Sequence, residues 1–273
     1  MVDKLVTADW VQEHLNDAGV RLVEVDVDTE AYREGHIEGA VAWNWTTQLQ
    51  DAVTRDILTK ADFEQLMANA GITPETHVVL YGDNNNWFAA YALWLMELYG
   101  HQNVSLMNGG RVKWLSDNRP TTTAEPSHGA TSYAAKDADP SIRAKRDEVL
   151  NAIGSSVNLV DVRSPAEFTG EVIAPPGMTE TAQRGGHVPG AKNIPWARAV
   201  NEDGTFKSVE ELKSLYEGAG VQAGGDTIAY CRIGERSSHT WFVLKHILGY
   251  ANVKNYDGSW TEYGSMVGVP IEK

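Results

Sequence analysis

Short apolar runs alternate with longer stretches of helical periodicity along the whole chain. Leu22–Asp26, His77–Tyr81 and Asn103–Leu106 are apolar runs bounded by polar or turn residues, and so are Val157–Asp161, Thr227–Tyr230 and Val253–Tyr256. Runs of this kind predict buried parallel strands. Helical patterns lie between them. Ser208-Val209-Glu210-Glu211 is a capping-box sequence that opens a helix to about Tyr216, stopped by Gly218 and Gly220. Trp87 to Tyr99 is a nearly continuous apolar helix ended by Gly100, and Ser237 to Leu248 is its counterpart, ended by Gly249. The β-α-β alternation predicts an α/β fold with a parallel sheet flanked by helices, and it occurs twice.

The two occurrences are copies of one plan. GITPETHVVLYGD at 71–83 aligns without a gap on GVQAGGDTIAYCR at 220–232, and GHQNVSLMNGG at 100–110 on GYANVKNYDGS at 249–259. Gly71 matches Gly220, Tyr81 matches Tyr230, and Gly100 matches Gly249. GHIEGA at 35–40 matches GHVPGA at 186–191. The second copy carries about 16 additional residues between its Asp and its Gly-His; they fall roughly within Phe168 to Gly186, a segment rich in Gly, Pro and Thr and therefore expected to form a loop. The stretch around Pro120, Pro126, Gly129 and Pro140 lacks apolar periodicity and reads as a linker. The expected division is a first domain over 1–125, a linker over 126–142 and a second domain over 143–273.

Composition narrows the function. The chain has 273 residues, 42% of them hydrophobic, which is ample for two cores. Its net charge is −14. Up to residue 125 there are 8 basic and 19 acidic residues; beyond it, 15 and 18. A nucleic-acid partner would need a basic face and is not expected, and a small anion is better received by the second half. No apolar run is long enough to span a membrane, so no membrane partner is expected. The start, MVDKLVTADW, does not read as a secretory signal. The single cysteine excludes an intrachain disulfide framework and any all-cysteine metal site. It fits a reducing compartment, and a cytoplasmic location is expected.

That one cysteine is the candidate nucleophile. Cys231 follows the strand Thr227–Tyr230, and Arg232-Ile233-Gly234-Glu235-Arg236-Ser237 leads into the next helix. Strand-to-helix turns of parallel sheets lie at the carboxyl edge, where such folds bind ligands. A helix N-terminus offers unpaired N–H groups and partial positive charge. Gly234 lets the loop curl so that consecutive N–H groups converge. Arg232 and Arg236 offer forked donors to an oxyanion. The setting is expected to favour thiolate and lower the thiol's pKa. The first copy has Gly82-Asp83-Asn84-Asn85-Asn86 at the matching place, without thiol or arginine. There Trp87 and Phe88 are candidates for a wall of the cleft. Arg184, in the inserted segment, is a candidate further cation. His36 and His187 occur in Gly-His turns of both copies although only one has the cysteine, and both are expected to be structural, as is His239.

Asp161-Val162-Arg163-Ser164, Gly186-His187-Val188-Pro189-Gly190-Ala191, the Cys231 loop and Tyr256-Asp257-Gly258-Ser259-Trp260 together resemble the tandem-domain rhodanese family of sulfurtransferases, over nearly the whole chain. The CRIGERS stretch is similar to the actinobacterial thiosulfate sulfurtransferases. The resemblance implies two rhodanese-like domains, the first inactive and the second catalytic. It implies that Cys231 thiolate attacks the outer sulfur of thiosulfate, expels sulfite and holds a persulfide cradled by loop N–H groups. Cyanide or a thiol then takes the sulfur. It implies substrate binding by residues Arg232, Ile233, Gly234, Glu235, Arg236 and Ser237, with Asp161 and Arg163 bordering the site. No metal and no organic cofactor are expected, and the chain is expected to be a monomer. Glu167 stands near a place where some members carry a substrate-binding arginine, a role it does not inherit.

Three other readings compete. Members that use 3-mercaptopyruvate usually have Gly and Ser after the cysteine, where this chain has Arg232 and Ile233. Phosphatases and arsenate reductases of related fold place five residues between Cys and Arg; here four separate Cys231 from Arg236, a ring better sized for one sulfur than for a tetrahedral phosphate. A persulfide carrier serving a partner protein would use the same Cys231.

Overall fold

The computed structural model describes residues 2–175, 177 and 181–273. Part of the inserted segment between Phe168 and Gly186 therefore lies outside the described residues. The chain divides into two compact units, Met1–Asp139 with Glu202–Phe206, and Pro140–Asn201 with Lys207–Lys273.

The first unit is built on a five-stranded sheet of β1 (Leu5–Val6), β2 (Val20–Asp26), β3 (Val41–Asn44), β4 (His77–Tyr81) and β5 (Val104–Met107). The order is β1-β5-β4-β2-β3 and every pairing is parallel. The register sets Leu22 beside Val79 and Val79 beside Ser105. β4 is paired on both edges, and its residues Val78 to Tyr81 are fully buried. A strand so placed has no polar face to present, hence the unbroken apolar run. The helix Trp87–Leu98 is buried from Phe88 onward, which explains why it is apolar on all sides. Gly100, at φ +84, ends it in the left-handed region that a β-carbon disfavours. Residues between 126 and 139 run against this unit: Thr131 N donates to Ala68 O, Lys136 N to Tyr99 O and Asp139 N to Leu98 O.

The second unit repeats the frame with four parallel strands, β6 (Asn158–Asp161), β7 (Lys192–Asn193), β8 (Thr227–Tyr230) and β9 (Val253–Tyr256), in the order β7-β6-β8-β9. The capping box at Ser208 is formed as its sequence predicts: Ser208 Oγ accepts from Glu211 N, and Glu211 Oε2 accepts from Ser208 N. The helix it opens runs Val209–Gly218. The helix predicted from Ser237 starts earlier, at Glu235, and continues to Phe242. A π turn, Val243–Ile247, closes it. β8 and β9 coincide with their predicted bounds. The central strands β6 and β8 bring Asp161 and Tyr230 side by side at their carboxyl ends, so the residues that follow each strand share one edge of the sheet.

No helix among the described residues is long and apolar enough to cross a membrane.

Candidate active site

Cys231 follows β8 directly and is fully buried. Its N–H donates to Ser259 Oγ at 3.0 Å and its carbonyl accepts from Trp260 N at 3.0 Å. The next carbonyl, of Arg232, accepts from Thr261 N at 3.0 Å. The loop is thus laced to the turn after β9. Gly234 lies at φ +107, and a β-carbon there would come within 2.9 Å of Asp257 Cα, so only glycine fits. Its N–H donates to Cys231 Sγ at 3.1 Å. Ser237 and Ser238 hydroxyls donate to the Gly234 carbonyl at 3.1 and 2.7 Å. Arg143 grips Asp257 with two bonds of 2.8 Å, bracing the wall against which Gly234 turns. Ile233 is a buried apolar side chain in the middle of the loop.

The electrostatics differ from the expectation in three places. First, the thiol is not lowered. Burial, and then the Glu235 carboxylate, push Cys231 above its ordinary value; Arg236, Ser237 and the Gly234 N–H pull down without reversing this. The protonated sulfur donates to Glu235 Oε2 at 3.3 Å. Second, Arg236 is not an open fork. Its terminal nitrogens both reach Glu167, each at 3.0 Å, and its Nε is 3.5 Å from Glu235 Oε1. Burial pushes Glu167 up, but the hydrogen bonds and charge of Arg236, with Ser164, hold it below the ordinary carboxylate value. Third, Arg184 is not a further cation for the site. Its guanidinium donates to the carbonyls of Gly264, Met266 and Val269, capping the last turns of the chain.

Asp161 and Arg163 form a fully buried pair joined at 2.6 Å, and Arg163 also donates to Gly186 O at 2.7 Å. The guanidinium lies 4.6 Å from the Trp260 ring centroid. The pair ties β6, the Gly-His turn and the residue after Ser259 together. His187 Nδ1 bonds Phe168 O, and its ring stacks on Phe168 at 3.5 Å. His36 repeats this with Tyr32, at 3.8 Å between rings. Both copies therefore use the histidine to pin a turn. His239 is fully buried, and burial lowers it to about 3, so its ring is neutral at physiological pH.

Sequence reasoning named Glu167 and Ser259 but gave neither a role in the site. Glu167 meets Arg236 across 69 positions, which no local pattern signals. Ser259 did leave a signal: it stands where the first copy has Gly110, and both residues have positive φ, 50 and 54. In the first copy the cysteine position is Gly82. A β-carbon there would sit 2.2 Å from the Val25 carbonyl oxygen. Asn86 Oδ1 accepts from Gly82 N at 2.9 Å, replacing the bond that Ser259 makes to Cys231. A β-carbon on Gly110 would lie 2.2 Å from that same Oδ1. Asn84, Asn85 and Asn86 all take positive φ to bring the amide there. Phe88 is a core ring of the first unit, 5.3 Å from Trp45, and Trp87 is half-buried at the start of their helix.

Comparison with known proteins places this architecture. Residues 7–117 and 145–266 each match the model of the rhodanese-like domain. A Haloferax volcanii protein named "Putative thiosulfate sulfurtransferase" is 59% identical over 99% of this chain and 96% of its own. A Thermus thermophilus protein named "Sulfur carrier protein TtuD" is 55% identical over 98% and 96%. Among solved structures, the 3-mercaptopyruvate sulfotransferase SseA of Escherichia coli superposes with a TM-score of 0.78 at 27% identity, over 95% of this chain and 99% of that one.

Proposed function

Because the chain belongs to the rhodanese-like family, with both copies of the domain present, we propose that it is a sulfurtransferase that draws sulfur from thiosulfate through a persulfide on Cys231. The observation that carries this reading is the Gly234 N–H, 3.1 Å from the Cys231 sulfur inside a loop closed by Ser237 and Ser238. A donor there can stabilise negative charge on sulfur in a site closed to water. Attack on the outer sulfur of thiosulfate forms the Cys231 S–S bond and breaks the donor's own, with sulfite leaving. A nucleophilic acceptor then takes the outer sulfur and frees the cysteine. Exchange through a covalent intermediate predicts ping-pong kinetics. Arg232 and Ile233 stand where members that use 3-mercaptopyruvate usually carry Gly and Ser, which favours thiosulfate as donor, although an arginine also binds carboxylates.

The test compares initial rates with thiosulfate and with 3-mercaptopyruvate, cyanide as acceptor, for the wild type and Cys231→Ala. Faster thiosulfate turnover and a dead variant are expected. Mass spectrometry should find the wild type alone one sulfur atom heavier after thiosulfate. Preference for mercaptopyruvate would overturn the choice of donor.

A persulfide carrier is the second reading. Arg236 is already matched by Glu167 and Glu235, so the loop holds less net positive charge for a dianion than its sequence suggests. A relative carries the name of a sulfur carrier. Sulfur uptake from a protein persulfide but from neither small donor would establish it.

A further inference from the structure

The surroundings of Glu235 hold a feature that anion binding does not explain. Glu235 opens the helix after the cysteine loop and is 1% exposed. Oε2 faces Cys231 Sγ at 3.3 Å, and Oε1 faces Arg236 Nε at 3.5 Å. Arg236 is in turn held by Glu167 through both terminal nitrogens. The carboxylate is therefore ion-paired at one oxygen and faces the reacting sulfur with the other. Arg232 is the other charged group of the loop. A buried carboxylate beside the sulfur repels anionic donors and acceptors alike. It is useful where a proton has to move.

We propose that Glu235 is a catalytic proton carrier that takes the proton of an incoming thiol and delivers it to Cys231 as that sulfur departs, making protonated thiols the acceptor class. This rests on the sulfur-transfer reading above. A thiol with an ordinary pKa of about 8.5 arrives mostly protonated at neutral pH and attacks only once deprotonated. Its proton passes to Glu235. The new bond joins the acceptor sulfur to the outer sulfur of the Cys231 persulfide anion, and the bond from Cys231 to that sulfur breaks. The products are an acceptor persulfide anion and, with the proton returned, the Cys231 thiol. In the loading half, the Cys231 proton leaves through Glu235 with sulfite as hydrogen sulfite. The transferred sulfur keeps its oxidation level, so neither half needs an oxidant or reductant.

The experiment loads Cys231 with inorganic polysulfide and follows discharge to β-mercaptoethanol and to sulfite, which brings no proton at mildly alkaline pH. In Glu235→Gln the thiol rate relative to the sulfite rate should fall by about a hundredfold, the middle of the range for general acid–base catalysis. The deficit should close as pH rises past the acceptor thiol's own pKa, where thiolate arrives ready-made. Glu235→Asp, with the base on a shorter arm, should show a smaller deficit with the same pH rescue, and it decides the matter if the Gln variant fails to fold. An unchanged ratio in the variants, or a deficit that persists at every pH, overturns the proposal. Wild type that loads from polysulfide but not from thiosulfate would sink the donor assignment alone, with the role of Glu235 still read from the discharge step.

Discussion

Ser259 holds an uncommon backbone conformation for a residue with a β-carbon, φ 50, and it does so to place one hydroxyl. Its Oγ donates to Tyr256 O at 2.7 Å and accepts the Cys231 N–H at 3.0 Å. Ser259→Ala keeps the strained backbone and strands a buried N–H, at a cost of about 1–3 kcal/mol. Ser259→Gly strands the same N–H but relieves the strain. The expected order in urea unfolding is therefore wild type, then Gly, then Ala. An alanine variant more stable than the glycine one would show that φ carries no strain there. The role of Ser259 is legible in the sequence only by comparing the copies, because Gly110 occupies its place where no thiol has to be served.

At the scale of elements, the short helix Pro165–Thr169 and the helix Glu235–Phe242 are joined by Glu167 and Arg236. Glu167 also caps its own helix through Ser164, so one carboxylate fixes two element starts. Glu167→Gln leaves the buried Arg236 guanidinium with Glu235 as its remaining carboxylate partner among the described residues and should destabilise the second unit by up to about 3 kcal/mol, the low end for breaking a buried pair. The pH dependence has a definite sign. The folded-state pKa of Glu167 is depressed, so its stabilisation is complete above the unfolded carboxylate value and is lost as pH falls through the lowered one. Unfolding measured across that acid range should show a limb in the wild type that the Gln variant lacks. None of this pairing could be read ahead of the structure, since the two partners meet only once β6 and β8 lie side by side. What could be read was whatever a local pattern dictates. His77–Tyr81 and Thr227–Tyr230 are recoverable because central strands are apolar on both faces. Leu5–Val6 and Lys192–Asn193 are strands of two residues, too short for any period. The π turn at Val243–Ile247 leaves no mark in composition. That His36 and His187 are structural follows from the repeat, since a turn present in both copies cannot depend on a thiol present in one; the Tyr32 and Phe168 rings they stack on do not.

Over the whole chain, the copies share a frame but respond to pH through different groups. In the first, burial and then the Asp83 carboxylate push Asp26, at the end of β2, up to about 9. A carboxyl raised on folding contributes stability fully below its unfolded pKa, and that contribution is lost as pH rises through the folded value. Asp26→Asn should therefore stabilise the protein, with a gain over wild type that grows between about pH 4 and pH 9. At the upper end the gain should reach at least about 1.4 kcal/mol, the worth of a single pKa unit. Calorimetry at several pH values reads it, and a gain constant with pH would show that Asp26 is ionised in the folded chain. The close packing around Gly82 and Asn86 in the first copy has a consequence for substitution. A β-carbon at position 82 would lie 2.2 Å from the Val25 carbonyl oxygen and 2.7 Å from Asp26 Oδ1, and one at position 110 would lie 2.2 Å from Asn86 Oδ1. A single codon change therefore does not seat a thiol there: the packing of the backbone around position 82, and not only one missing atom, shuts it out.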